Sequence, residues 1–230
     1  MNKLNIKKRF QKMTWIYSVY KKIRRQITHH NRNKMLHQNG YVVLDELTQL
    51  LFDAKFNSFI AYGTLLGFIR EKGLLGHDDD LDIVILDTED FSWESLEKIL
   101  YKNGYNKIRY FTNNDIITEE TFQKNGLEID FFRYFFEEDH CFGVGYKRFV
   151  GVNYSNDDER TTYKCTFPVI PDIEIQKING HAVPIPSNYE ALLECWYGED
   201  WKTPKKSNYD RNEYTLYDYY GLAHVCNERG

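Results

Sequence analysis

The sequence predicts an α/β or α+β domain, and three observations carry that reading. Apolar runs of strand length are interspersed with segments of helical periodicity. A wholly apolar-flanked run at residues 81–86 (LDIVIL) follows directly on a cluster of acids, as at the mouth of a buried strand. The chain has 230 residues, 42% of them hydrophobic, which is enough for one domain with its own core and too apolar for a disordered chain.

Residues 5–28 lack Pro and Gly. Ile6, Phe10, Met13, Tyr17, Tyr20 and Ile27 recur at spacings of three or four, with Ile23 dividing the longer gap, so an amphipathic helix with a basic opposite face is predicted. Residues 41–54 predict a second helix. A short strand at 58–62, a helical turn at 65–70, the strand at 81–86 and a helix at 93–101 follow. Residues 105–112 and 115–122 read as strands paired across Asn113-Asn114, and 127–136 as another strand. Residues 173–178 and 182–185 form a hairpin across Asn179-Gly180, a favoured two-residue turn. Ser187 is expected to cap a helix running to Tyr197, with Glu190 completing a capping box. Residues 212–225 are read as a helical tail.

Charge divides the chain. Residues 1–44 hold 11 Lys or Arg and no acid, which leaves 19 Lys or Arg against 34 Asp or Glu, a net of −15, for residues 45–230. The organisation read from this is a basic helical arm at 1–40 and an acidic catalytic domain at 41–230. An acidic body disfavours a nucleic-acid backbone, so no DNA or RNA partner is expected. The basic arm suits contact with anionic lipid, or packing on the body or a partner. Cys141, Cys165, Cys195 and Cys226 are far apart and form no CxxC pair, which indicates neither a zinc site nor a disulfide framework. The only apolar patch near the start, 13–20, runs at once into Lys21, Lys22, Arg24 and Arg25, a poor signal peptide. The expected location is the cytoplasm, with peripheral contact at the inner face of the membrane. Aromatics reach 16%, with 18 tyrosines, a composition suited to flat polar partners such as sugars and bases.

The chemistry concentrates in residues 62–84, YGTLLGFIREKGLLGHDDDLDIV. On a strand, alternate side chains share a face, so Asp80 and Asp82 point the same way with backbones about 6–7 Å apart. Two such carboxylates can share a hard cation, and the acids Asp78, Asp79, Asp80 and Asp82 are costly to gather without one. Asp130 in LEIDFF supplies a third acid from a second strand, with Glu128 on its face. Asp80, Asp82 and Asp130 are therefore the candidate catalytic residues and the candidate ligands of Mg²⁺, or of Mn²⁺ in its place. Gly63 lets backbone approach a phosphate, the Thr64 hydroxyl adds a donor, and Arg70 and Lys72 are candidate phosphate contacts. Arg70 could instead hold the loop through Asp78 or Asp79. Those two acids and His77 are read as structural. Trp196, Tyr197 and Trp201 are read as packing, with one of them able to stack on a base or on a quaternary ammonium.

A Gly-Thr turn, a short helix, Asp-x-Asp on the next strand and a later Asp is the pattern of the DNA-polymerase-β-like nucleotidyltransferase fold. The segment resembles more closely the signature of the LicD family, which includes bacterial phosphocholine transferases and fukutin-related ribitol-phosphate transferases. The matching elements are Tyr62 to Gly67, Arg70, Gly73, Asp78 to Asp80, Asp82, Ile129 to Phe132, and PIPSNYEALLECWYGEDWKTP from Pro184 to Pro204. Gly76 stands where the family usually has Pro, and the zinc insert of the animal relatives is absent. The resemblance implies an α+β, polymerase-β-like core on a mixed sheet, with an N-terminal amphipathic helix and a C-terminal helical segment. It also implies metal-dependent transfer of a phosphorylated small alcohol, phosphocholine from CDP-choline first of all. The acceptor would be a hydroxyl of a cell-surface glycan such as lipopolysaccharide, capsule or teichoic acid. The alternative is nucleotide transfer to a small molecule.

Overall fold

The structure, a computed structural model, describes residues 3–148, 152–204 and 217–228, with side chains described from residue 16 onward and, in the last segment, from residue 221. The two N-terminal helices read from the sequence are one helix, α1 (Lys3–Asp53), uninterrupted through Gly40. Gly40 lets the Leu74 side chain pack closely, since a Cβ there would come within 2.8 Å of it. From Leu36 onward α1 packs: Leu36, Val43, Leu44, Leu47 and Leu51 lie in the core. The apolar pattern at Ile6, Phe10 and Met13 lies outside the described side chains.

After α1 come β1 (Ser58–Ile60), α2 (Tyr62–Arg70), β2 (Asp80–Leu86) and α3 (Trp93–Lys102). Ser92 caps α3 by accepting the Ser95 amide, and Trp93, Leu96 and Leu100 bury one face at helical spacing. Three hairpin strands follow, β3 (Asn106–Asn113), β4 (Ile116–Lys124) and β5 (Leu127–Phe136), then β6 (His140–Lys147) and β7 (Glu159–Pro168). A separate hairpin, β8 (Ile173–Ile178) with β9 (His181–Pro186), leads into α4 (Tyr189–Tyr197), and β10 (Tyr217–Asn227) ends the described chain.

The hairpin turns follow sequence chemistry. Asn114-Asp115, Asn125-Gly126 and Asn179-Gly180 all carry positive φ at both positions, as two-residue turns between right-twisted strands require. The β3–β4 turn lies one residue later than expected. Asn113 is instead buried in the sheet, donating to Thr162 Oγ1 at 2.9 Å. At α4 the N-cap is Asn188, without a side-chain cap; its amide donates to Val169 O at 2.9 Å, so the expected Ser187 capping box does not form.

Strands lie in the order β1-β2-β5-β4-β3-β10-β7-β6, and β6 pairs back onto β5 through Phe135↔Phe142 and Phe136↔Cys141. β3, β4, β5, β6, β7 and β10 thereby close into a six-stranded antiparallel barrel. β2 extends from it, parallel to β5, and β1 pairs antiparallel with β2.

This corrects the expected fold. The chain does not build a polymerase-β-like α+β core on an open mixed sheet; it builds an antiparallel barrel with two appended strands and few helices. Two segments make the difference. β6 and β7 arise from residues 140–168, where no strand was read. The tail expected to be helical is, from Tyr217, the strand β10, which joins β3 to β7 and lets the sheet close; its remainder, 212–216, lies outside the described residues. Gly143 and Gly145 make room on β6 for flat rings, since Cβ atoms there would lie 2.8 Å from Tyr134 and 2.2 Å from Tyr163.

Phe131, fully buried on β5 and set edge-on against Phe122 at 5.7 Å, tests the core. Phe131→Ala is expected to cost about 3–5 kcal/mol in urea unfolding. Val42→Ala, on the 69%-exposed side of α1, is expected to change stability by less than about 0.5 kcal/mol.

Candidate active site

The parallel register of β2 and β5 sets Asp80 beside Glu128 and Asp82 beside Asp130. Because side chains alternate, all four carboxylates project from the same face of adjacent strands. The row continues across the sheet from Asp130 to Thr121 on β4 and Arg109 on β3. Asp130 Oδ1 accepts from the Thr121 hydroxyl and, at 3.1 Å, from Arg109 Nη2, while Arg109 Nη1 donates to Glu128 at 3.1 Å.

Asp78 enters from the loop before β2. Asp78, Asp80 and Asp82 each offer a carboxylate oxygen, and these atoms lie within 4.8 Å of one another. The oxygen-only donor set, gathered at a spacing that one small ion spans, fits Mg²⁺ or Mn²⁺. Burial pushes the Asp82 carboxyl well above its ordinary value, and Asp80, Asp78 and Asp130 push it further against the Gly63 amide. Burial and the neighbouring Asp130 and Asp78 do the same to Asp80, with Arg32 opposing. Asp78 is raised by burial, against the pull of His77. The cluster holds more negative charge than its arginines offset, and a divalent cation relieves that excess.

α2 begins directly at the acids. Tyr62 takes φ 41°, which turns the chain sharply from β1 into the helix. Gly63 follows because a Cβ there would sit 2.2 Å from Asp78 Oδ2. The helix N-terminus thus meets carboxylates at close range, with its positive dipole end toward them. Thr64 is buried, and its Oγ1 accepts the Asp82 amide at 3.0 Å, tying α2 to β2.

Arg70 and Lys72 lie away from this cluster. Arg70 donates to Trp201 O at 3.3 Å and to Glu71 at 2.9 Å, fastening α2 to the segment after α4; Lys72 donates to Ile69 O at 3.0 Å. Neither lines the cavity described next.

Five participants were invisible in the sequence. Arg32, on α1, donates from Nη2 to Asp80 at 2.9 Å and lies 3.3 Å from Glu128. One turn of the same helix reaches the acid loop twice more. His29 Nδ1 meets Asp79 at 2.9 Å, and Asn33 donates to the carbonyls of Gly76 (3.1 Å) and Asp78 (2.6 Å). Arg109 is the second arginine. Glu119 on β4 completes the five, a buried carboxyl raised by burial and by Asp130, with Arg109 opposing. His29, Arg32 and Asn33 stand at i, i+3 and i+4, a spacing that marks a helix face and says nothing about what it touches.

The acids open into a cavity of about 1000 Å³ between the cluster and the β6–β7 side of the barrel. Glu119, Phe132, Tyr146, Tyr163 and Trp196 contribute walls, and Lys147, Arg148 and Arg160 bring positive charge to the lining. Tyr62 packs against Phe132 (5.0 Å, 74°) and Trp196 (4.5 Å, 36°), forming an aromatic corner beside Gly63.

With this geometry the comparisons with known proteins can be placed. The chain belongs to the LicD/FKTN/FKRP family: residues 55–188 match the family's nucleotidyltransferase domain. That membership supports a transferase of the phosphotransferase type acting on glycans. No curated protein matches the chain. Among solved structures, that of ANT(2″)-Ia in complex with adenylyl-2″-tobramycin is similar at a TM-score of 0.43 and 12% identity, over 72% of this chain and 79% of that one, too distant a likeness to carry an argument. No described helix is long and apolar enough to cross a membrane.

Two predictions follow from the geometry. Carboxyls raised in the folded state stabilise it at pH below their unfolded values, and that contribution is lost as pH rises through their folded values. The metal-free protein is therefore expected to melt at falling temperature as pH rises above the unfolded carboxyl value of about 4. Mg²⁺ should recover the loss increasingly at higher pH, and Asp82→Asn should flatten both responses; differential scanning fluorimetry reads all three. Thr64→Val should cost about 1–3 kcal/mol in denaturant unfolding, because it leaves the Asp82 amide without its acceptor.

Proposed function

We propose that this protein transfers a phosphorylated small alcohol, phosphocholine before others, from a CDP-linked donor to a hydroxyl of a cell-surface glycan. The observation that carries the reading is the placement of the acid cluster at the mouth of a cavity walled by aromatic rings. Asp78, Asp80 and Asp82 would hold the cation, with Asp130 as the further acid of the set, oriented by Thr121 and Arg109. When bound, a divalent cation there supplies charge neutralisation at the donor's diphosphate.

The residues do the rest. The acceptor oxygen forms a bond to the phosphorus that carries the alcohol, the bond from that phosphorus to the bridging oxygen breaks, and CMP leaves with the bonding electron pair. The hydroxyl proton passes to a carboxylate on the cavity wall. Glu119 suits that task, being buried and facing the cavity, with burial and the neighbouring Asp130 making its carboxyl a stronger proton acceptor than an ordinary one. Arg109 and Arg32 limit the repulsion between the acids and an incoming diphosphate. The corner of Tyr62, Phe132 and Trp196 offers ring faces to a pyrimidine or to a quaternary ammonium.

The test is CMP release from a panel of CDP-alcohols with Mg²⁺, with and without glycan acceptors. Release from CDP-choline is expected, falling at least ~100-fold in the Asp80→Ala/Asp82→Ala variant. Trp196→Ala should raise KM for the choline donor more than for CDP-glycerol, through loss of a cation–π contact worth ~1–2 kcal/mol. Pyrophosphate release from a nucleoside triphosphate, with the nucleotide left on the acceptor, would replace this reading with nucleotide transfer to a small molecule.

A further inference from the structure

Residues 16–28 of α1 add nothing to the packed core of the described residues. Every residue from 16 to 31 is exposed, and the packed stripe of this helix begins only at Leu36. Yet residues 16–27 carry a clean apolar stripe of their own: Ile16, Val19, Tyr20, Ile23 and Ile27, with Ile16, Tyr20, Ile23 and Ile27 each at least 50% exposed. At 3.6 residues per turn these side chains fall within roughly a third of the helix circumference. Their direction differs from that of the Leu36–Leu51 core stripe by roughly another third of a turn, so the first stripe is not a continuation of the second.

The opposite side of the same turns is basic. Lys21, Lys22, Arg24 and Arg25 carry four positive charges, no acid occurs before Asp45, and none of the four forms an ion pair among the described residues. A helix of this length gains little from its own backbone bonds in water, and without a packed face it is marginal. The stripe therefore needs a partner that takes apolar side chains and tolerates concentrated positive charge. A second copy of this chain meets only the first requirement, since its own stripe brings the same basic residues and no acid to pair with them, the first acid being Asp45. An anionic bilayer surface meets both. Aliphatic side chains enter the headgroup boundary, Tyr17 and Tyr20 suit the interface, and lysines and arginines meet acidic lipid.

We propose that the projecting half of α1 is an interfacial helix that docks this protein on an anionic membrane surface. α1 runs unbroken from this stripe to the turn that bears His29, Arg32 and Asn33 on the acid loop, so the docked helix also fixes the approach of the site to the bilayer. The stripe points away from that gripping face, which leaves the grip intact when the stripe is buried in lipid.

The experiment uses the full-length protein and sedimentation with two vesicle types, pure phosphatidylcholine and phosphatidylcholine mixed with phosphatidylglycerol. The protein is expected to pellet with the mixed vesicles and to remain largely in the supernatant with the neutral ones. Ile23→Gln/Ile27→Gln, which leaves charge unchanged, should abolish pelleting. Lys22→Gln/Arg25→Gln should weaken it roughly thirty-fold, as two basic residues at an acidic surface imply. Both variants alter exposed positions, and unchanged melting would show that the body is intact. Wild-type protein left in the supernatant with both vesicle types overturns the proposal, as does equal pelleting of the Ile23→Gln/Ile27→Gln variant. A concentration-dependent dimer that this variant dissociates, without vesicle binding, would assign the stripe to a second copy and overturn it too. The readout is binding rather than turnover, so its failure leaves the proposed reaction untouched.

Discussion

Repulsion between carboxylates that the β2–β5 pairing forces together governs the rest of this structure. A parallel register that sets Asp80 on Glu128 and Asp82 on Asp130 places like charges on neighbouring strands, where each raises the cost of ionising the next. The surroundings answer that constraint from every side. Arg109 reaches across from β3, Arg32 comes from α1, and α2 aims its N-terminus at the cluster with Gly63 under the Asp78 carboxylate. What these groups leave uncompensated is an electrostatic demand that a divalent cation would satisfy.

The barrel serves the site by supplying rigid neighbours. Thr121 pairs with Asp130 in an unshifted β4–β5 ladder, and Arg109 comes opposite Thr121 through a β3–β4 register shift at Phe111/Thr112. Closure through β10 then carries β6 and β7 round to face the acids and forms the far wall of the cavity. The two glycines of β6 leave space in which Tyr134 and Tyr163 lie flat against the strand. α1 adds a second kind of support, since one of its turns holds the acid loop through a side-chain carboxylate contact and two carbonyls. That helix lies wholly outside the family-matched stretch 55–188, so part of this chain's site is built from sequence that the match does not include.

Much was legible before the fold was known. The strand at 81–86, the hairpin at Asn179-Gly180, the helix at 93–101 and the shared face of Asp80 and Asp82 follow from local rules, and the structure has them all. Family membership, read from the motif at 62–84 and its companions, agrees with the match over 55–188. Other contacts are tertiary and have no local signal: the Thr64 hydroxyl accepts a backbone amide of β2, Arg70 donates to the chain after α4, and Asn188 donates to Val169 O, so the Ser187 capping box does not form.

The sequence by itself determined the local chemistry: which residues are acids, that Asn179-Gly180 makes a turn, and where the N-terminal arm carries only positive charge. These depend on neighbours a few positions apart. Tertiary structure decided how the sheet closes and which distant residues complete the site. Barrel closure rests on pairings such as Phe135↔Phe142 and Ala223↔Asn113, and the placement of Arg32 on Asp80 spans 48 positions. Local periodicity gives a strand its faces but not its neighbours. Neighbours are chosen by burial and hydrogen bonding summed over the whole sheet, and no local window contains that sum.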